Sequence, residues 1–416
     1  MTSGVTNARN ERIFKKTSDQ ISSETARVLE TLRSRADYTR EFDYFLELAE
    51  SGMTPEAAET RTGLTTIKLL CVQAPLELIH AAGFHPFKVF CGSNAACNLA
   101  SRGLPALACP MLRSVIGAAK LAQSSSESPW VLPTTCDWVV KFPEMLAISD
   151  VAGEPDSIRV HWLELPHLKD RDDGQRRWIE EIYNFKKFLT SDGRRIKRAA
   201  LAESVAIYRR AWQALVRLSD LRREGRLSSI WFMLMTGVFF CDSPQNWTTA
   251  AERAANSQMT PALRGAKVFL AGSPIFFPNF KIPFLLEEAG LEVVSDDLCS
   301  SERIFPGSVA CGDESEFGLM SAMSQSYHQG CVCPTFIDND RRINNILGRM
   351  KGAGFKGVVF HVLKGCHPYD LESFGIETKL KDRGLKFIRL ETDYSGEDSR
   401  NLNTRLEAFR QTIRED

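Results

Sequence analysis

The sequence predicts an α/β protein of two parallel-sheet lobes with a helical N-terminal arm and a helical connector. Apolar runs of strand length alternate with helix-like stretches in two separate regions, which is the pattern of strands joined by helical crossovers. Between them lies a charged stretch with heptad-like apolar spacing, and ahead of them a charged, helix-like start. At 416 residues the chain is also too long for one ordinary core. These observations place the arm at 1–65, the first lobe at 66–166, the connector at 167–262 and the second lobe at 263–416.

Within the arm, 22–32 and 40–51 read as helices, followed by Thr54-Pro55-Glu56, an N-cap and first-turn signal. The first lobe offers strand-like runs at 67–72, 86–90, 105–108, 130–133 and 160–165, with a serine-rich exposed turn at 123–128. In the connector, 178–188 and 199–221 carry the helical spacing. The second lobe opens with AKVFLAGSP from Ala266 as strand and turn, then a helix at 281–289 and a strand in LEVVSDD. It continues with a strand at 357–366, a helix at 369–383, a strand at 385–393 and a closing helix at 402–413.

Composition narrows the function. With 43% hydrophobic and 25% charged residues this is an ordinary globular chain. Lys plus Arg and Asp plus Glu number 52 each, so the basic excess expected of a nucleic-acid binder is missing. No uninterrupted apolar run reaches membrane-spanning length, and the segment 230–241 (IWFMLMTGVFFC) reads as a buried core helix. The polar start MTSGVTNARNERIFKK holds no apolar leader core, so we read the chain as cytoplasmic. Its eleven cysteines are then expected as thiols for metal, redox chemistry or packing rather than as disulfides.

Cys109, Cys136 and Cys366 share one context. In LPALACPMLRS, WVLPTTCDWVV and VVFHVLKGCHPYDLE an apolar strand-like run precedes the cysteine and a helix-like segment follows it. Ligands of open α/β sheets bind beyond the carboxyl ends of the strands, and a thiolate or anionic cluster there is favoured by the positive end of the next helix. Pro110, Asp137 and Pro368 are each suited to a helix first turn. Three thiolates leave a metal position open for chemistry, whereas structural sites are usually closed by four. Zinc and simple burial are the competing readings.

From about residue 66 onward the chain resembles the 2-hydroxyacyl-CoA dehydratase and benzoyl-CoA reductase subunit family. Residues 73–83 (QAPLELIHAAG) are similar to its PxELIxAAG segment, and ACPMLRS and TTCDW to its first two cysteine motifs. KIPFLLEEAGLEVVSDDLC resembles the segment ending in D-x-C, and GCHPYDLES, LETDYS and residues 404–409 the C-terminal signature. The resemblance implies Rossmann-like or flavodoxin-like lobes, and a 4Fe-4S cluster on Cys109, Cys136 and Cys366. It implies an ATP-dependent iron-sulfur activator protein that injects a low-potential electron. It also implies an acyl-CoA substrate passing through a ketyl radical, and a paralogous second subunit or homodimer. Glu77 and His367 are the candidate catalytic side chains. Where many relatives place two or more lysines after TTCD, the stretch 138–143 here has only Lys141.

Cys299 (DDLCSSER), Cys331 and Cys333 (GCVCPTF) and Cys311 (VACGDES) exceed what one such cluster needs. A double-cubane branch of the same superfamily is similar at the D-x-C, C-x-C and C-H-x-Y motifs. That branch implies an 8Fe-9S cluster on cysteines 109, 136, 299, 331, 333 and 366, used for small-molecule reduction with the same kind of activator. Cys71, Cys91, Cys97 and Cys241 fall outside the motifs and are assigned to packing. Ala271-Gly272-Ser273-Pro274 has neither phosphate-loop spacing. His85 and His361 read as structural histidines. Cys366 beside His367 is a poor nucleophile–base pair, since such pairs assemble in space rather than in sequence.

Overall fold

The computed structural model describes residues 2–101, 104–105, 107–122, 128–148, 158–169, 171–257, 265–337, 340–352 and 354–413, with side chains from residue 10. The arm is one long helix, α1 (Thr2–Arg33), then α2 (Asp43–Glu50) and α3 (Pro55–Thr62). Thr54 caps α3 by accepting from the Ala57 N–H, and Pro55 opens its first turn, as the Thr-Pro-Glu signal predicts. Leu29 and Leu32 are buried, and Arg35 pairs with both Asp37 and Glu287, which ties the arm to the second lobe.

The first lobe runs β1 (Thr66–Leu69), α4 (Leu76–Ala81), β2 (His85–Lys88), α5 (Asn94–Ala100), α6 (Pro110–Ala122), β3 (Trp130–Pro133), α7 (Asp137–Val140), α8 (Phe142–Ile148) and β4 (Val160–Leu163). All strand pairings are parallel, in the order β2-β1-β3-β4. The apolar run 105–108 is loop rather than strand at Pro105, Leu107 and Ala108; residue 106 lies outside the described residues. Prolines at 105 and 110 bracket it, and Leu107 is exposed, so apolar composition alone misassigned it. Of the serine-rich turn only Ser128 is described, and it is buried rather than exposed, bonded to Glu59.

The connector comprises α9 (Asp172–Leu189), α10 (Arg198–Arg223), α11 (Ser229–Gly237) and α12 (Pro244–Asn256). The segment 230–241 is indeed core: apart from Gly237, every side chain in it is buried. Trp178, Trp231 and Trp247 are fully buried, and each indole N–H finds an acceptor, at Ser324 O (3.0 Å), Asp37 Oδ1 (3.1 Å) and Met235 O (2.7 Å). No helix of the described residues is long and apolar enough to cross a membrane.

The second lobe runs β5 (Ala266–Gly272), α13 (Lys281–Glu288), β6 (Leu291–Asp296), α14 (Glu316–Gln329), α15 (Asp340–Met350), β7 (Gly357–Leu363), α16 (His367–Lys381), β8 (Lys386–Thr392) and α17 (Ser399–Thr412). Its sheet is again all parallel, in the order β6-β5-β7-β8. The two lobes thus share one strand order. The connector's boundary with the second lobe, read at 262/263, lies outside the described residues. A single core joins Leu29 and Phe42 of the arm, Ile67 of the first lobe, Trp231 of the connector and Val268 of the second lobe. Helix α10 packs on α4 on one side and on β6 and α14 on the other, which fixes the lobes against each other.

In both sheets the chain reverses its direction of growth beside the first strand, leaving a crevice at the carboxyl ends where ligands of such sheets bind. The loops from those ends meet. The Trp138 indole donates to Gly365 O at 2.8 Å, and Thr335 Oγ1 donates to Thr135 O at 2.6 Å. Gly365 has φ +74°, and a Cβ there would lie 2.2 Å from Leu107 O, so only glycine allows the loop before Cys366 to reach the loop before Cys109. Gly92 does the same for the lobes: a Cβ would lie 1.9 Å from Phe276 O.

Candidate functional site

The crevice narrows to an apolar cavity of about 90 Å³ between the lobes. Its wall contains Cys109 and Cys136 of the first lobe and Cys366, Cys299 and Cys333 of the second. Cys331 is buried beside it, its sulfur taking a hydrogen bond from the Gln73 amide. Cys71, which follows β1 and which the sequence reading assigned to packing, also lines the wall. Cys91, Cys97 and Cys241 do not line it. Cys311 is likewise outside the wall, with its thiol on Asp313 O at 2.6 Å.

Each of the three motif cysteines directly precedes a helix, α6, α7 or α16. The backbone N–H of Leu112 lies close enough to Cys109 to favour the thiolate. Those of Trp138 and Val139 do the same for Cys136, and that of Tyr369 for Cys366. The Ser273 hydroxyl, after β5, adds to the effect at Cys366. Desolvation by the apolar wall outweighs these donors. Burial pushes Cys71 and Cys366 up to about 12 and raises Cys109, Cys136, Cys331 and Cys333 as well. At neutral pH these thiols hold their protons. Among the described residues no three His, Cys, Asp or Glu side chains converge on a point as the ligands of one metal ion do. The thiols are spread around the cavity wall instead.

Both candidate catalytic side chains lie off the cavity wall. His367, the first residue of α16, is exposed, its ring 6.0 Å from that of Trp138, while its neighbours Cys366, Pro368 and Tyr369 line the cavity. Glu77 does not line it. It is buried in α4, where Tyr327 from α14 donates to its Oε2 at 2.8 Å. Burial pushes this carboxyl up to about 7 from an ordinary 4.5. The folded chain therefore keeps a proton that the unfolded chain loses. Stability contributed by the neutral carboxyl is complete below about pH 4.5 and is lost as pH rises to about 7. Glu77→Gln, which preserves the Tyr327 bond, should thus stabilise the protein by about 2–3 kcal/mol at pH 8 and leave it unchanged at pH 4, read by thermal melts at both pH values.

Sequence reasoning missed the cations around the cavity. Lys88 lines it and donates to Cys299 O at 3.0 Å, with its ammonium 5.2 Å from the Phe276 ring. Lys169 donates to Cys331 O and sits 3.7 Å from the Phe336 ring; burial lowers it to about 8. Arg303 donates to Asp297 O and, at 3.0 Å, to the hydroxyl of Tyr369 on the cavity wall. Lys88 at the end of β2 and Arg303 after DDLCSSE were visible in position, but nothing in their spacing pointed to a site.

Two sheets of one strand order, with thiols from both lobes lining one apolar cavity, define a two-lobed α/β class of cysteine-lined proteins. The chain belongs to the 2-hydroxyglutaryl-CoA dehydratase D-component family, which matches residues 71–413. It is 26% identical over 388 residues to "Putative dehydratase subunit YjiM" of Escherichia coli (strain K12), covering 88% of this chain and 96% of that one. It is 22% identical over 366 residues to the lactoyl-CoA dehydratase subunit beta of Anaerotignum propionicum, covering 84% and 92%. The (R)-phenyllactyl-CoA dehydratase beta subunit of Clostridium sporogenes is 19% identical over 363 residues, covering 85% and 93%.

Proposed function

We propose that this chain is the iron-sulfur subunit of a 2-hydroxyacyl-CoA dehydratase-like enzyme. It takes a low-potential electron from an ATP-dependent activator protein for radical dehydration or reduction of an acyl-CoA thioester. The observation that carries the reading is that Cys109, Cys136 and Cys366, from both lobes and each ahead of a helix, line one apolar cavity. Cys109, Cys136 and Cys366 would hold an iron-sulfur cluster there, which would supply one-electron chemistry. The donor set suits it chemically: three thiols line one apolar wall, and thiolates are the ligands that iron-sulfur clusters take.

The chain's own residues supply placement and dryness. Leu70, Val139, Phe276 and Leu363 keep bulk water off the site, which strengthens every electrostatic contact inside it. Trp138 bonded to Gly365 O holds the Cys136 and Cys366 loops together. The relatives named as dehydratase beta subunits support a second subunit as partner and an acyl-CoA as substrate. His367, at the mouth of α16, is the side chain we assign to proton handling.

A second reading, a double-cubane protein reducing small molecules with an ATP-dependent activator, is favoured by one observation. Cys299 and Cys333 line the same cavity as the three motif cysteines, and Cys331 lies behind them. Cys331→Ser separates the two. Under the single-cluster reading its iron content equals that of the wild type; under the double-cubane reading it falls to about half.

A further inference from the structure

The cavity is electrically lopsided. At the end formed by Cys299, Cys331 and Cys333, with Cys71 beside them, three cations are buried: Lys88 is 3% exposed, Lys169 3% and Arg303 5%. Lys88 and Lys169 grip the carbonyls of Cys299 and Cys331, and Arg303 acts electrostatically on Cys299, Cys331 and Cys333. None of the three forms an ion pair with a carboxylate among the described residues. The neighbouring buried arginines differ: Arg222 pairs with Asp296 and Glu302, and Arg342 with Asp297 and Glu372. Asp297 lies within the field of Arg303, but its carboxylate is paired with Arg342. Around Cys109, Cys136 and Cys366 the groups that favour the thiolate are helix N–H donors instead, and among the described residues no Lys or Arg stands with them.

Burying a cation without a counter-charge is costly, and three gathered around one cavity end repel one another, a cost that their carbonyl and ring partners offset only in part. Negative charge at that end of the cavity supplies the missing compensation. We infer that Lys88, Lys169 and Arg303 are positioning residues that compensate the charge of an anionic iron-sulfur group held at the Cys299–Cys331–Cys333 end. They favour its more reduced, more negative state over its oxidised one. The inference rests on the second, double-cubane reading above and deepens it by assigning the electrostatics of the Cys299–Cys331–Cys333 end of the cavity.

The test uses the protein purified without oxygen, comparing wild type with Lys169→Met, Lys88→Met and the charge-keeping Lys169→Arg. Iron per chain and the midpoint of an electron paramagnetic resonance titration with a chemical reductant are measured on each. Each Met variant should lose up to about half of the iron or shift its midpoint to more negative potential, with Lys169→Arg close to wild type. Met variants with the iron content and midpoint of the wild type overturn the inference, as does an Arg variant as impaired as Lys169→Met. Wild type without iron overturns the underlying iron-sulfur reading instead. If Lys169→Met fails to fold, Lys88→Met, at the end of β2 and away from the 331–333 loop, decides the matter alone.

Discussion

Cys366→Ser should strip the protein of nearly all the iron it holds when purified without oxygen, and with it at least about a hundredfold of any activator-dependent turnover. Cys366 ends the loop from the central strand β7. Its sulfur lies near the Ser273 hydroxyl and the Tyr369 N–H, in a wall that also presents Cys109 and Cys136. A serine oxygen at that position is a harder, less readily ionised donor than a thiolate and suits iron-sulfur ligation poorly. Cys109→Ser and Cys136→Ser should behave alike. Cys97→Ser is the control: its thiol is spent on Pro110 O at 3.0 Å in the packed α5–α6 pair, off the cavity wall. Equal iron retention in Cys366→Ser and Cys97→Ser would remove the ligand assignment.

The second large effect is on stability. Arg342 is buried at 1% exposure between Asp297 at 2.5 Å and Glu372 at 2.8 Å, and it also donates to Val332 O at 3.1 Å in the loop carrying Cys331 and Cys333. Arg342→Met leaves two buried carboxylates without their cation, a change that costs about 3–5 kcal/mol. It also loosens the C-x-C loop. Urea denaturation should reveal a correspondingly earlier midpoint. Arg210→Met, which breaks the exposed pair with Glu252, should leave the curve unmoved. An Arg342→Met protein as stable as Arg210→Met would contradict the role of the buried network.

Much of this was legible in the residues because hydrophobic burial dictates it. Strands buried on both faces read as continuous apolar runs, so β3, β5 and β7 were located within a few residues of their bounds. Pro110, Asp137 and Pro368 marked helix starts, and with them the cysteines standing just before each. What the residues did not show shares a cause: the interaction that decides it is remote in sequence. The run 105–108 has the apolar composition of a strand, yet its path is set by Gly365, some 260 residues on. Glu77 reads as an active-site acid, and its place in the core, bonded to Tyr327 from α14, follows only from the packed helices. Cys71 is flanked like a packing cysteine and reaches the cavity only because β1 is central in its sheet. Lys88, Lys169 and Arg303 are scattered over more than 200 residues, so their convergence on one cavity end is a property of the folded lobes.

The claim at the centre is that thiols of both lobes hold an iron-sulfur group between them. It is tested most directly by iron and acid-labile sulfide per chain after purification without oxygen, together with the electron paramagnetic resonance spectrum of the reduced protein. The account predicts about four irons with matching sulfide, or about eight if the Cys299–Cys331–Cys333 end is also filled, and a cluster signal on reduction. Zinc without iron, or iron without labile sulfide, would contradict it.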